Sequence, residues 1–199
     1  MISQGRYTIL KVPNELYKSF FEMDKKEAKN YFEWFLSVKV KRLAILCEYV
    51  QEESDIVWSC DYSRESLTGL FECFKNVVKY RTITKEEKQI GISKLQDKYK
   101  GIVPIPEKVI DEETVSFCFD TGLYFGETIK KNIEGLEWSN RTSSTNYAYY
   151  AQPILIKKGK KVDLNPRAIM EVLAGKVLRG TAEYDGLLKL YDTWISLFK

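Results

Sequence analysis

Asp120 and Glu127 stand seven residues apart, in a stretch whose apolar residues recur at helical spacing. Both carboxylates therefore project from nearly the same side of one helix, with Glu134 a further seven along if the helix lasts that far. Two carboxylates so placed can act as general acid and general base, or hold a divalent cation. The competing reading is structural: a carboxylate beside Tyr124, Phe125 and Gly126 can be buried and satisfied by Arg167, by the Asn165 side chain or by a tyrosine hydroxyl. The structural reading carries more weight, because carboxylates at helical spacing are common and ion-pair networks perturb them as active sites do.

Other chemistry is short of parts. The chain of 199 residues has no histidine, which removes Ser-His and Cys-His nucleophile pairs and His-ligated metals. Ser143, Ser144 and Thr145 lack an imidazole base, and neither G-x-G-x-x-G nor a P-loop sequence occurs. Cys47, Cys60, Cys73 and Cys118 contain no C-x-x-C pair, so they read as buried free thiols in a reducing compartment rather than as a zinc site. No cofactor and no metal are expected.

Recognition is better supplied. Among 13 tyrosines and 4 tryptophans most must be core, but the segment 141–150 sets Arg141, Tyr147, Tyr149 and Tyr150 among small polar residues, a composition suited to a binding loop. Those four are the candidate partner contacts, with Glu134 and Glu137 close in sequence. The expected partner is another protein.

Charge and compartment narrow the partner further. Lys and Arg number 31 against 28 Asp and Glu, a net charge of +3. The distribution is uneven: residues 75–100 hold eight basic and three acidic positions, 101–140 three and eight, and 141–199 ten and five. A basic face for nucleic acid would need a recognition signature that is missing, so solvated helix faces are the expectation and nucleic acid is not an expected partner. Residues 1–11 lack a basic start followed by an apolar run, and the longest apolar run, Leu43–Cys47, is far short of the roughly 20 residues of a membrane span. A cytoplasmic protein without membrane association is expected.

The elements that must position these residues are legible from periodicity. Arg6–Val12 reads as a short strand ended by Pro13, and Glu15–Met23 as a short helix. From about Lys25 to Glu52 there is no Gly or Pro, and apolar residues recur every three or four positions, a long amphipathic helix. Asp61 or Ser63 can cap a second helix carrying Leu67, Leu70, Phe71 and Phe74. Thr84 and Glu87 fit a capping box. Residues 101–110, with Pro104 and Pro106, are a candidate crossing loop between two halves of one domain. Asp111-Glu112-Glu113 opens the helix bearing Asp120 and Glu127, in which Gly122 and Gly126 allow another backbone to approach one face. Between Leu136 and Val162, Trp138, Tyr147–Tyr150 and Pro153–Ile156 read as two or three antiparallel strands. Asn165-Pro166 opens a helix that stops at Gly180, and a last helix runs from about Thr181. The fold class predicted is α+β and helix-dominated, with six or seven helices and a small antiparallel sheet late in the chain, as one domain over 1–199.

Tyr124-Phe125-Gly126-Glu127, then Trp138, Gln152-Pro153 before an apolar strand, and Leu164-Asn165-Pro166 opening a helix give a pattern over about residues 115 to 195. It resembles an uncharacterised bacterial family with a Y-x-G-E helix, a tryptophan strand and an L-N-P helix start. Some proteins of this appearance resemble immunity proteins, so the resemblance implies a partner that is a toxin. The functional expectation is a non-enzymatic cytoplasmic protein-binding protein of the toxin-neutralising kind. The alternative is a carboxylate-dependent hydrolase or divalent-cation-binding protein using Asp120 and Glu127.

Overall fold

The computed structural model describes residues 7–53, 57–99 and 101–199. The fold is α+β and dominated by helix, with six α-helices and two small antiparallel sheets among the described residues.

Helix α1 spans Lys25–Glu53 and buries Ala28, Tyr31, Phe35, Leu43, Leu46 and Val50 along one stripe. Its start is tied by Asp24, whose Oδ1 accepts from the Lys26 and Glu27 amides while Glu27 Oε2 accepts from the Asp24 amide. Helix α2, Ser66–Val77, buries Leu67, Leu70, Phe71 and Phe74, and Ser63 Oγ accepts from the Ser66 amide at its entry. Strand β1, Tyr80–Thr82, pairs antiparallel with β2, Lys108–Ile110, in the register Tyr80–Ile110, Arg81–Val109 and Thr82–Lys108. Between them lies α3, Lys85–Lys94, opened by the Thr84–Glu87 capping box.

Helix α4, Glu112–Asn132, is the centre of the molecule. Asp111 caps it by accepting from the Thr114 amide at 2.7 Å, and it is buried on most sides, with Phe117, Leu123, Tyr124, Phe125 and Ile129 inside. It packs against α1, α2, α5 (Pro166–Leu178) and α6 (Gly186–Phe198). The second sheet joins β3, Leu136–Ser139, to β4, Ile154–Lys157, with Trp138 opposite Leu155. Asn165 Oδ1 accepts from the Ala168 amide and Pro166 occupies the first helical position of α5, which therefore starts as its sequence requires. Gly180, at φ +67°, ends it: the Gly180 amide donates to Val177 O and the Thr181 amide to Lys176 O.

Several expectations are corrected. Tyr7–Val12 forms no strand; its polar contacts go to helix side chains instead, the Leu10 amide to Ser116 Oγ and the Thr8 carbonyl to Arg42. Arg6, the first residue of that expected strand, lies outside the described residues. Glu15–Met23 forms two 3-10 turns, Asn14–Leu16 and Phe20–Glu22, rather than a helix. Tyr147–Tyr150 is a chain of turns, with the Tyr150 amide donating to Tyr147 O and the Gln152 amide to Tyr149 O. The last helix begins at Gly186, five positions later than expected, since its apolar period starts only at Leu187. Two of the four cysteines are not free thiols: Cys47 on α1 and Cys60 before α2 form a disulfide with Cα atoms 5.7 Å apart, while Cys73 and Cys118 are free and buried. A 13-residue separation hid this pair, because only the return of the chain along α1 brings the two together.

Candidate functional site

Asp120 is fully buried on α4. Arg42, which falls on the apolar stripe of α1 between Phe35 and Leu46, donates from Nε to Asp120 Oδ1 at 2.9 Å and from Nη2 to Oδ2 at 2.5 Å. The Tyr7 hydroxyl donates to the same Oδ2, and Arg42 Nη2 also donates to the Thr8 carbonyl at 2.9 Å. Burial pushes the Asp120 carboxyl up to about 6, against the opposing pull of Arg42 and Tyr7. Burial, and then the neighbouring carboxylate, push the Tyr7 hydroxyl up as well, so it remains a donor. Both carboxylate oxygens are engaged, by Arg42 of α1 and by Tyr7 of the N-terminal segment, in bonds that fasten these to α4.

Glu127 is partly buried one face-repeat further along. Its Oε1 accepts from Lys39 Nζ of α1 at 2.5 Å and from the Trp138 indole Nε1 of β3 at 2.7 Å. Asp120 and Glu127 are thus held by different partners. Arg167 and Asn165, expected as partners for such a carboxylate, serve elsewhere: Arg167 Nε donates to Glu171 Oε1 at 2.8 Å, and Asn165 Nδ2 donates to Gln152 Oε1 at 2.8 Å while its Oδ1 caps α5. Glu134 lies beyond the end of α4, exposed in the turn to β3, and Glu137 is exposed on β3. Among the described residues no group of three or more acidic or cysteine side chains could hold a metal ion.

The residues of the Y-x-G-E pattern meet in one place. The Tyr124 hydroxyl accepts from the Tyr62 amide at 2.9 Å and bonds Ser66 Oγ at 2.8 Å, tying the approach to α2. A Cβ at Gly126 would lie 2.8 Å from the Trp138 ring, and one at Gly122 would lie 3.0 Å from the Arg167 backbone nitrogen. Trp138, Gln152, Asn165 and Gly122 border a cavity of about 10 Å³, room for a single water at most. The motif is therefore a packing joint between α4, β3 and the start of α5.

The 141–150 segment divides. Arg141 is exposed, and its Nε and Nη2 donate to Asp163 at 2.6 and 2.8 Å. Tyr147 donates its hydroxyl to Asp163 Oδ2 at 2.7 Å and meets Tyr149 edge-on, ring centres 5.9 Å apart. Both tyrosines are half-buried, and 143–146 are exposed. Tyr150 is different: it is buried, its hydroxyl donates to the Met23 carbonyl at 3.1 Å, and the next residue, Ala151, is held at φ +60°. Its candidacy as a partner contact is corrected, since an aromatic ring in the core offers no surface. Burial pushes the Asp163 carboxyl up, but the bonds from Arg141 and Tyr147 outweigh it and hold the group below the usual carboxylate range.

Asp163 was not singled out from sequence, nor were Arg42, Lys39 and Tyr7. Arg42 had a signal, a lone cation at an apolar stripe position. Asp163 had none, since its role depends on the turn that brings 141 and 147 beside it. No family model, no curated protein and no solved structure matches the chain.

Proposed function

We propose that this chain is a non-enzymatic protein-binding protein of the toxin-neutralising immunity type, acting by occluding a partner surface, and that Arg141, Tyr147 and Tyr149 present its contact loop. The observation that carries this reading is the division of labour among polar side chains. Asp120 and Glu127, on which the hydrolase or cation-binding alternative depends, are engaged in fastening elements to one another. The solvent-facing loop 141–149 is meanwhile braced on Asp163, so its tyrosines are ordered before any partner arrives. Bracing of this kind lowers the ordering cost of association. A cytoplasmic site of action belongs to the same proposal, and the Cys47–Cys60 bond weighs against it, because structural disulfides are rare in reducing compartments. Among the described residues no helix is long and apolar enough to cross a membrane.

The test is co-expression with the product of the adjacent reading frame. Relief of growth arrest by the native chain, lost in Tyr149→Ala and Arg141→Ala with folding unchanged, supports the reading. Binding that survives both substitutions sinks the loop assignment, and absence of any growth arrest or complex sinks the toxin partner.

A further inference from the structure

Beyond that loop, a second surface has the marks of a docking site. The chain leaves the core after Val78 and returns at Asp111, closing the excursion with the β1–β2 ladder, which the Ile83 amide extends by donating to Glu107 O. A two-residue turn suffices to join two such strands. Instead residues 83–107 carry α3, a 3-10 turn at Asp97–Tyr99 and the Pro104/Pro106 return. No described residue from 79 to 110 is buried, and among them Ile110 alone, at the end of β2, packs against the core, so the arm adds little that would offset the entropy of ordering it. Its own packing is thin; Gly91 rests against Ile105.

What the arm shows to solvent combines two features. Ile102 is 75% exposed, Ile90 53% and Val103 43%, and Tyr80 and Tyr99 are also exposed. Along the sequence, positions 79–108 hold eight basic and four acidic residues, an excess larger than the net charge of +3 for the whole chain. The arm that uncovers these apolar side chains is therefore one of the two basic stretches of the chain, the other being 141–199. Scattered apolar residues on a surface need no explanation, but exposed aliphatic side chains on a basic arm that contributes so little to the core are what an interface element presents.

We propose that the arm, residues 79–110, docks on an acidic protein surface with an apolar centre. Charge complementarity selects the sign of the partner, and the aliphatic side chains select protein over nucleic acid. Sequence readout of a duplex draws on arginine forks and single strands on aromatic stacking, whereas lysines alone give only non-specific, salt-dependent phosphate contact. Here the one arginine, Arg81, is held by Glu87 through bonds of 2.6 and 2.7 Å, and Tyr99 lies under Lys98 at 4.8 Å. The exposed apolar groups that remain are mostly isoleucine and valine.

The experiment is fluorescence anisotropy on the full chain with a labelled helical peptide roughly 18 residues long, built of Glu and Leu on opposite faces. Controls are the same peptide with Lys for Glu and a DNA duplex of about 20 base pairs. The acidic peptide is expected to bind, to weaken about tenfold between roughly 50 and 300 mM salt, and to weaken at least about tenfold in Ile102→Asp/Val103→Asp and in Lys88→Glu/Lys94→Glu. These positions are exposed, so the melting temperature should stay unchanged in both variants. Tyr149→Ala should leave peptide binding intact, which separates this surface from the loop: failure of either assignment leaves the other standing. Replacing 84–106 by Asn-Gly should abolish binding and keep the fold. No binding of the acidic peptide, equal binding of the basic peptide, tighter binding of DNA, or unfolding on removal of the arm would each overturn the proposal.

Discussion

A carboxylate with no exposed surface and three donors aimed at it does mechanical work, and the cost of disturbing it follows from what is left behind. Asp120→Asn removes the charge that faces the Arg42 guanidinium, itself buried, and leaves that cation without compensation. Breaking such a pair by one partner costs about 3–5 kcal/mol. Urea unfolding should register a loss of that size, and Tyr7→Phe, which deletes one bond and keeps the ring, a smaller loss of about 1 kcal/mol. A second test at this scale uses Asp163. Its carboxyl is held below the usual range once burial and the bonds from Arg141 and Tyr147 are set against each other. The folded state thus binds fewer protons than the unfolded one as pH falls below about 4, so the clamp contributes fully above that value and is lost beneath it. The protection of amides across 143–149, measured between pH 5 and pH 2 as the exchange rate relative to the intrinsic rate at each pH, should fall in the native chain as pH drops and be already low at pH 5 in Asp163→Asn; native protection that does not change with pH would show that the clamp does not order the loop. Chemistry at the residue scale was half visible in the sequence. The carboxylates and the candidate loop stood out, but partners such as Tyr7, Lys39 and Asp163 come from distant positions that only the fold assembles.

Elements were legible where a local rule decided them. The Thr84–Glu87 capping box, the Asn165-Pro166 start and the long run without Gly or Pro in α1 each rest on contacts within a turn or two, and each forms as its residues require. Three-residue strands such as Tyr80–Thr82 have no periodicity to read, and the N-terminal segment is placed by distant contacts, with Ser116 of α4 and with Arg42, rather than by a strand partner. Gly122 and Gly126 sit between these extremes, since their spacing announced a close approach without saying of what. The answer separates two otherwise similar substitutions. Ala is the better helix former by about 1 kcal/mol. At Gly122 the added methyl meets the backbone of Pro166 and Arg167, which is fixed by the Asn165 cap; at Gly126 it meets the Trp138 ring, which is held by Glu127. Neither neighbour is the free end of a flexible chain. Both variants should therefore lose about 1–3 kcal/mol despite the propensity gain, and in Gly126→Ala the indole fluorescence should shift as Trp138 is displaced. A stabilised Gly126→Ala would mean that β3 yields without cost.

The whole molecule is uneven in how its parts are held, and this governs where it can move and what it can offer to a partner. Helix α4 is packed by α1, α2, α5 and α6, so exposing its amides requires the core to come apart. The arm from 79 to 110 has no buried residue and is attached through a three-pair ladder and the Lys79 contacts with Asp111 and Glu113. Local opening free energies follow buried contact, from near zero at unsupported segments to the global value in the core. Hydrogen exchange of the native chain should therefore resolve two classes: amides of Phe117–Ile129 exchanging only with global unfolding, and amides of α3 exchanging many orders of magnitude faster, with an opening free energy that responds weakly to denaturant. The Arg42→Lys change should speed the first class by lowering global stability, since a lysine cannot reproduce the two-pronged contact with Asp120, and leave the second nearly untouched. If α3 instead exchanged as slowly as the core and sped up in step with it in Arg42→Lys, the arm would be an integrated part of the domain, and its exposed isoleucines would require an explanation within the fold.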